Sequence, residues 1–291
     1  MHNERFFEQT LRLIEQGEIQ SATAMIAGKL HNAYADPIGW AETRATLHAH
    51  PLHKVLLEDP YSRRCAAKPR GYAGDAGLID IIYDERHSED SSFLGDRIFQ
   101  QSIKFQASEG VRQRRSYAES LVADAWQAGK SICSLACGHF REGDQLIGND
   151  LSNVTAVDQD LLSLEAVRAS HGESIGLHHA NVFRFLRLAA ATDQKFDLIY
   201  TLGLTDYLDA RSMQLLHRLM KACLAPGGTI LLANFLPDHL ATGWMDAVMD
   251  WQLIYRDEGE LAAFAREIGM QPRCWRDPTG CIAWCRMEDQ G

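Results

Sequence analysis

Nowhere in the 291 residues is there a run of about 18 apolar residues, so no segment reads as a membrane-spanning helix. The start, Met1-His2-Asn3-Glu4-Arg5, has neither the basic opening nor the apolar run of a secretory leader. A cytoplasmic protein without a membrane partner is therefore expected. The seven cysteines form no Cys-x-x-Cys pair, their odd number leaves one unpaired, and several sit in apolar strand-like runs. That is the pattern of reduced core thiols, not of a disulfide framework. The twelve histidines are scattered, and His178-His179 on an expected strand would point to opposite faces, so no metal is expected. Cations are also in short supply, with 29 Lys and Arg against 39 Asp and Glu and a net charge of −10. A nucleic-acid partner calls for clustered cations and is not expected, which leaves a small molecule. With 46% hydrophobic residues the chain can bury a full core, and its length suits one α/β domain with an added helical segment.

What the chain does have is organised around Ser131–Phe140, a run of small and apolar residues entering a glycine turn, followed by the polar Arg141-Glu142-Gly143-Asp144. About twenty residues on, Asn153–Asp158 is a second apolar strand closed by an acid, where a parallel sheet sets a carboxylate against a ribose. Asp158 could instead cap the following helix, a task Asp160 could equally fill. A pyrophosphate needs the converging amides of Gly-x-Gly-x-x-Gly, but around Gly138 the equivalent positions hold Ala136, His139, Phe140 and Arg141. A lone glycine suits a nucleoside ligand without phosphates, and S-adenosylmethionine is one. The stretch resembles motif I of the class I S-adenosylmethionine-dependent methyltransferases.

Apolar spacing predicts helices through the first part of the chain: a hairpin over 4–30 broken by Gly17, a helix from Asp36-Pro37, and another from Pro51 to a break at Asp59-Pro60. A short helix is expected over 76–83, and one or two over 98–126. From Ser131 the pattern alternates: strands at 131–137, 153–157, 174–179, 196–201 and 228–234, with helices at about 141–148, 160–170, 182–190 and 210–224. A helix near 257–268 precedes two strands, 271–276 and 281–287, joined by Asp277-Pro278-Thr279-Gly280, a composition that makes the pair antiparallel. The expected fold is α/β, a Rossmann-like class I methyltransferase sheet of parallel strands ending in an antiparallel hairpin, preceded by a helical region. The expected division is 1–126, helical and carrying a lid, and 127–291, binding the cofactor.

Three further stretches narrow the likeness. Lys68-Pro-Arg-Gly-Tyr-Ala-Gly-Asp75 reads either as a solvated turn or as a lid over the cofactor cleft, with Tyr72 beside the sulfonium and Arg70 reaching a carboxylate. With Tyr200–Leu208 and Asp250–Glu258, it is similar to a bacterial group of these enzymes that includes 3-hydroxypalmitic acid methyl ester biosynthesis proteins. That group tends to carry Gly-Pro-Ala-Arg-Glu in motif I, where Gly138-His139-Phe140-Arg141-Glu142 stands here, and Ser134 occupies a place often held by an acid. The resemblance implies cofactor contacts from Tyr72, Ala136, Gly138, Asp158, Gln159, Asn181, Val182, Thr201 and Gly203. It implies catalytic positions at Asp206, Tyr207 and Tyr72, and acceptor contacts from Arg70, Tyr207, Asn234, Tyr255 and Arg256. Asn181 could serve only as a helix cap, and Asp206 competes with Asp209 to cap 210–224. Arg112, Arg114 and Arg115 read as a solvated helix face, or one of them pairs with a carboxylate near the cleft. The implied activity is methyl transfer to a small molecule, with a homodimer left open. The alternatives are a non-catalytic S-adenosylmethionine-binding regulator or, less favoured, an NAD(P)-dependent oxidoreductase.

Overall fold

A computed structural model describes residues 2–288 and divides the chain into two compact units. The expected boundary at 126/127 is drawn elsewhere. One unit takes the residues up to Arg112 together with Asp238–Leu253, and the other takes Gln113–Pro237 and Ile254 onward.

The second unit carries a seven-stranded sheet: β1 Ile132–Leu135, β2 Val154–Asp158, β3 Gly176–His179, β4 Phe196–Thr201, β5 Leu224–Phe235, β6 Gln271–Arg276 and β7 Ile282–Glu288. Its order is β3-β2-β1-β4-β5-β7-β6, parallel through β5, with β7 antiparallel to both β5 and β6. All four residues of β1 are buried, as suits a central strand covered on both faces. One core runs from Leu135 and Val157 through Leu186, Met213 and Leu216 to Ile230 and Met287, tying sheet and helices together. The strand order reverses at β1, with β2 and β3 on one side and β4 and β5 on the other, and it is at the carboxyl ends of such a switch point that α/β sheets bind ligands.

Three of the boundaries that differ from the sequence reading do so for a local reason. β1 ends at Leu135 because Ala136 takes a left-handed backbone with φ 52°. The helix expected after it is a 3-10 turn, Arg141–Leu146, entered through Phe140, also left-handed, whose ring fills the space where a side chain at Gly143 would stand. β5 starts at Leu224, earlier than expected, because Leu224 already pairs with Phe196 and a register shift absorbs Gly227 and Gly228 before regular pairing resumes at Thr229. The Asp277–Gly280 turn closes the final hairpin as composition predicts: Asp277 Oδ1 accepts from the Cys281 and Ile282 amides at 2.9 and 2.8 Å.

The first unit is helical. Aspartates placed before prolines start its helices: Asp36 accepts from Ile38 N, and Asp59, fully buried, accepts from Tyr61 N and from the hydroxyls of Ser62 and Ser102. Asp59-Pro60 is thus a start signal as well as a break. The segment 238–253, expected to lie with the sheet, forms the helix Thr242–Ala247 against Ile19–Tyr34, so close that a Cβ on Gly243 would meet the Leu30 carbonyl at 2.4 Å. Arg44 holds it through Asp246 at 3.0 Å and Asp250 at 2.9 Å, and Lys68 reaches Asp250 at 2.6 Å. The loop 68–75 is fixed at both ends: Lys68 closes the helix Pro60–Ala67 with a left-handed backbone, and Asp75 caps Ala76–Asp84 while accepting from Arg64 at 3.0 Å. Arg70 and Tyr72 are half-buried within this unit.

Candidate functional site

The carboxyl edge of β1 and β2 is built by the chain folding sharply on itself. Ala136, Gly138 and Phe140 all have left-handed backbones, φ 52°, 53° and 51°, so the turn alternates direction at every second residue. Cys137 N donates to Val157 O at 3.1 Å, drawing the turn over the end of β2. Asp158, only 5% exposed, takes the Gly138 amide on Oδ2 and the Asp160 amide on Oδ1, both at 2.8 Å. The capping question is thereby resolved: Asp160 caps the helix Leu161–His171 by accepting from Leu162 N, while Asp158 faces the glycine turn. Burial pushes the Asp158 carboxyl above its ordinary range, and the backbone amides oppose that push. Each carboxylate oxygen has a second lone pair, so two amides leave acceptor capacity for a ligand hydroxyl.

Beneath this turn lies a carboxylate that sequence reasoning missed. Glu142 Oε1 accepts from the Tyr200 hydroxyl at 2.8 Å and from Ser134 Oγ at 3.3 Å, and the residue is 4% exposed. Ser134 stands where an acid was expected, and the 3-10 turn brings a carboxylate onto it from eight residues away. Burial raises the Glu142 carboxyl and drives the Tyr200 hydroxyl well above its ordinary value. The available signal was the pair itself, a serine in the strand and a glutamate after the turn.

The carboxyl edge of β4 and β5 holds a second acid. Asp206 is 2% exposed; its Oδ1 accepts from Phe235 N at 2.7 Å, and its Oδ2 lies 4.0 Å from Nη1 of Arg114. Burial lifts its carboxyl to about 7 against the opposing pull of Arg114 and Arg256. Asp209 caps the helix Ala210–Ala222 through Ser212 N, which frees Asp206 from that task. Arg256, 5% exposed, donates from Nη1 to Thr205 O at 2.8 Å and to Asn234 Oδ1 at 3.3 Å, and from Nη2 to Leu208 O. Asn234 Nδ2 donates to the carbonyls of Phe235 and Ile254, both at 3.0 Å. Arg256 and Asn234, expected at the acceptor, thus bind the loop 205–208 to the end of β5.

Several other expected residues fall on the same edge. Thr201, the last residue of β4, is 1% exposed, and its hydroxyl has no hydrogen-bond partner among the described residues. Gly203 lies beside the Arg114 guanidinium. Asn181 caps the helix Val182–Ala191 by accepting from Phe183 N, and Val182 is buried below it. Gln159 is exposed, with its carbonyl 3.0 Å from His179 Nε2. Tyr207 is 41% exposed and Tyr255 half-buried. Arg70 and Tyr72 belong to the helical unit. Of the three neighbouring arginines, Arg114 is the one paired with a carboxylate on this edge, a link that spans 92 residues and leaves no local trace. Among the described residues no cluster of His, Cys, Asp and Glu could hold a metal ion, and no helix is long and apolar enough to cross a membrane.

The strand order, the antiparallel β7 and the glycine turn after β1 together make this the Rossmann-like fold of class I methyltransferases. Among solved structures, the chain is similar to a protein of Bordetella parapertussis described as a possible exported protein. The TM-score is 0.61 and the identity 19%, over 94% of this chain and 97% of that one. It is also similar to the magnesium protoporphyrin IX methyltransferase of Synechocystis PCC 6803, solved with bound SAH, at a TM-score of 0.50 and 11% identity over 80% of this chain and 99% of that one. At these identities the likeness is one of fold. No protein-family model matches the chain, and no curated protein matches it.

Proposed function

We propose that this protein is an S-adenosylmethionine-dependent methyltransferase acting on a small carboxylate-bearing molecule, such as an amino acid or a hydroxy or fatty acid. The observation that carries the reading is the coupling of Asp158 to the Gly138 amide at 2.8 Å. It places a strand-end carboxylate and a close-approach turn side by side, on a sheet of methyltransferase topology. The residues fit the cofactor: Asp158 retains lone pairs for the ribose hydroxyls, the turn is left-handed at Gly138, and Thr201 offers a buried hydroxyl without a partner among the described residues. The middle glycine of a Gly-x-Gly-x-x-Gly turn, where backbone would approach a pyrophosphate, is replaced by Phe140, which disfavours a nicotinamide dinucleotide.

When bound, S-adenosylmethionine supplies an already activated methyl group. The protein's share is alignment and exclusion of water. A carboxylate acceptor then needs positioning and no base. Asp206, held up to about 7, could hold or release a proton near neutrality, and it is the group available should the acceptor be a hydroxyl. Tyr207, exposed in the same loop, is the adjoining polar side chain for contact with the acceptor.

The test is transfer of label from methyl-labelled S-adenosylmethionine across a panel of amino, hydroxy and fatty acids. Methylation of at least one acid, reduced in Asp158→Ala at limiting cofactor, is the expected result. Cofactor binding with no transfer to any member would contradict a carboxylate-bearing acceptor and favour a regulatory role.

A further inference from the structure

Arg112 and Arg115 both have their guanidinium groups engaged: Arg112 donates to Glu109 at 2.9 Å, and Arg115 to Asp144 at 2.9 Å and the Arg141 carbonyl at 3.2 Å. Arg114 differs. It is 4% exposed, and neither its Nε nor its Nη1 has a hydrogen-bond partner among the described residues. Asp206 Oδ2, at 4.0 Å, balances the charge but stands beyond hydrogen-bond range, and the Phe235 ring lies 5.8 Å from Cζ. A buried cation with unused donors is costly, and the cost falls when a suitable acceptor arrives.

Gly203 leaves room for one. A Cβ built there would sit 3.7 Å from Nη2 and 3.9 Å from Nη1, so any side chain at this position would cover the guanidinium. The backbone at Gly203 is not left-handed, so the glycine serves space here and not conformation. A planar monoanion suits the Nη1–Nη2 edge that faces Gly203, because guanidinium and carboxylate match in shape and charge. The Asp206 carboxyl 4.0 Å away disfavours a dianion such as phosphate.

We propose that Arg114 anchors the carboxylate of a ligand bound at the carboxyl ends of β4 and β5. The inference rests on the methyltransferase reading, within which two carboxylates qualify: that of the acceptor and that of the cofactor's amino-acid end.

Calorimetry on the full-length protein and on Arg114→Met separates them. The probes are S-adenosylhomocysteine, 5′-methylthioadenosine, which lacks the amino-acid end, and octanoate titrated into both the free and the S-adenosylhomocysteine-loaded protein. The expected result is that Arg114→Met weakens a carboxylate-bearing probe by about 10- to 100-fold and leaves 5′-methylthioadenosine unchanged. Weaker S-adenosylhomocysteine assigns the residue to the cofactor, and weaker octanoate alone assigns it to the acceptor. If Arg114→Met does not fold, Arg114→Gln, which keeps a polar head group and removes the charge and the fork, is expected to give the same pattern. Unchanged behaviour toward S-adenosylhomocysteine and octanoate, including no measurable octanoate binding in either form, overturns the proposal while leaving the methyltransferase reading intact. Octanoate bound through Arg114 by a protein that takes neither nucleoside overturns that reading and keeps the anion site.

Discussion

The two acids at the carboxyl edge of the sheet are secured in opposite ways. Asp158 is held by two backbone amides, Gly138 N and Asp160 N, from within a few residues of itself or of the neighbouring turn. Asp206 has one amide and depends for the rest on arginines distant in sequence, Arg114 and Arg256. The first arrangement is rigid and survives side-chain changes nearby. The second rests on side chains, so its proton affinity and its loop can be tuned or broken by a single substitution.

The largest effect is expected where the second arrangement is tied together. Arg256→Ala should destabilise the fold by about 2–4 kcal/mol, since it strands the Thr205 and Leu208 carbonyls and Asn234 in a buried place. Urea denaturation reads this as a lower midpoint at unchanged slope. Arg256→Lys should rescue little, because an ammonium cannot span the same three acceptors. A stable Arg256→Ala protein would return Arg256 to the role of an acceptor ligand.

On the other side, Asp158→Ala should weaken S-adenosylhomocysteine binding by about 1.5–3 kcal/mol, the worth of hydrogen bonds to a charged group, with the fold retained. Unchanged affinity in a folded variant would remove Asp158 from the site.

A further effect is a matter of pH. The folded-state value of Asp206 is raised, to about 7, so the folded protein holds this proton more tightly than the unfolded chain does. Its contribution to stability is fully present below the ordinary carboxylate range and is lost as pH rises toward 7. Wild type should therefore lose stability relative to Asp206→Asn between about pH 4 and pH 7. The difference should level off above that window. A flat difference would place the Asp206 carboxyl in its ordinary range.

The same contrast decides what could be read in advance. The alternation of strands and helices, the final hairpin and the Gly138–Asp158 pair were legible because each depends on residues close in sequence or on a fixed spacing along a parallel sheet. The division of the chain was not. Segment 238–253 joins the helical unit through Gly243 against Leu30 and Arg44 to Asp246, contacts that span about 200 residues and follow no periodicity. The partners of Arg114, Arg256 and Asn234 were hidden for the same reason. An arginine on a helix looks solvated, and an asparagine at a strand end looks available, until the partner that buries each is known. Glu142 lies between these cases, close in sequence to Ser134 but brought onto it by a turn whose left-handed residues are mostly not glycine.

The central claim is that the glycine turn and Asp158 receive S-adenosylmethionine. Calorimetric titration of the wild-type protein with S-adenosylhomocysteine, NAD and NADP, repeated on Gly138→Val, tests it most directly. S-adenosylhomocysteine alone is expected to bind, and Gly138→Val to abolish this binding, because a branched residue resists the left-handed backbone and fills the approach to the turn. Binding of either dinucleotide, or undiminished S-adenosylhomocysteine binding by Gly138→Val, would contradict it.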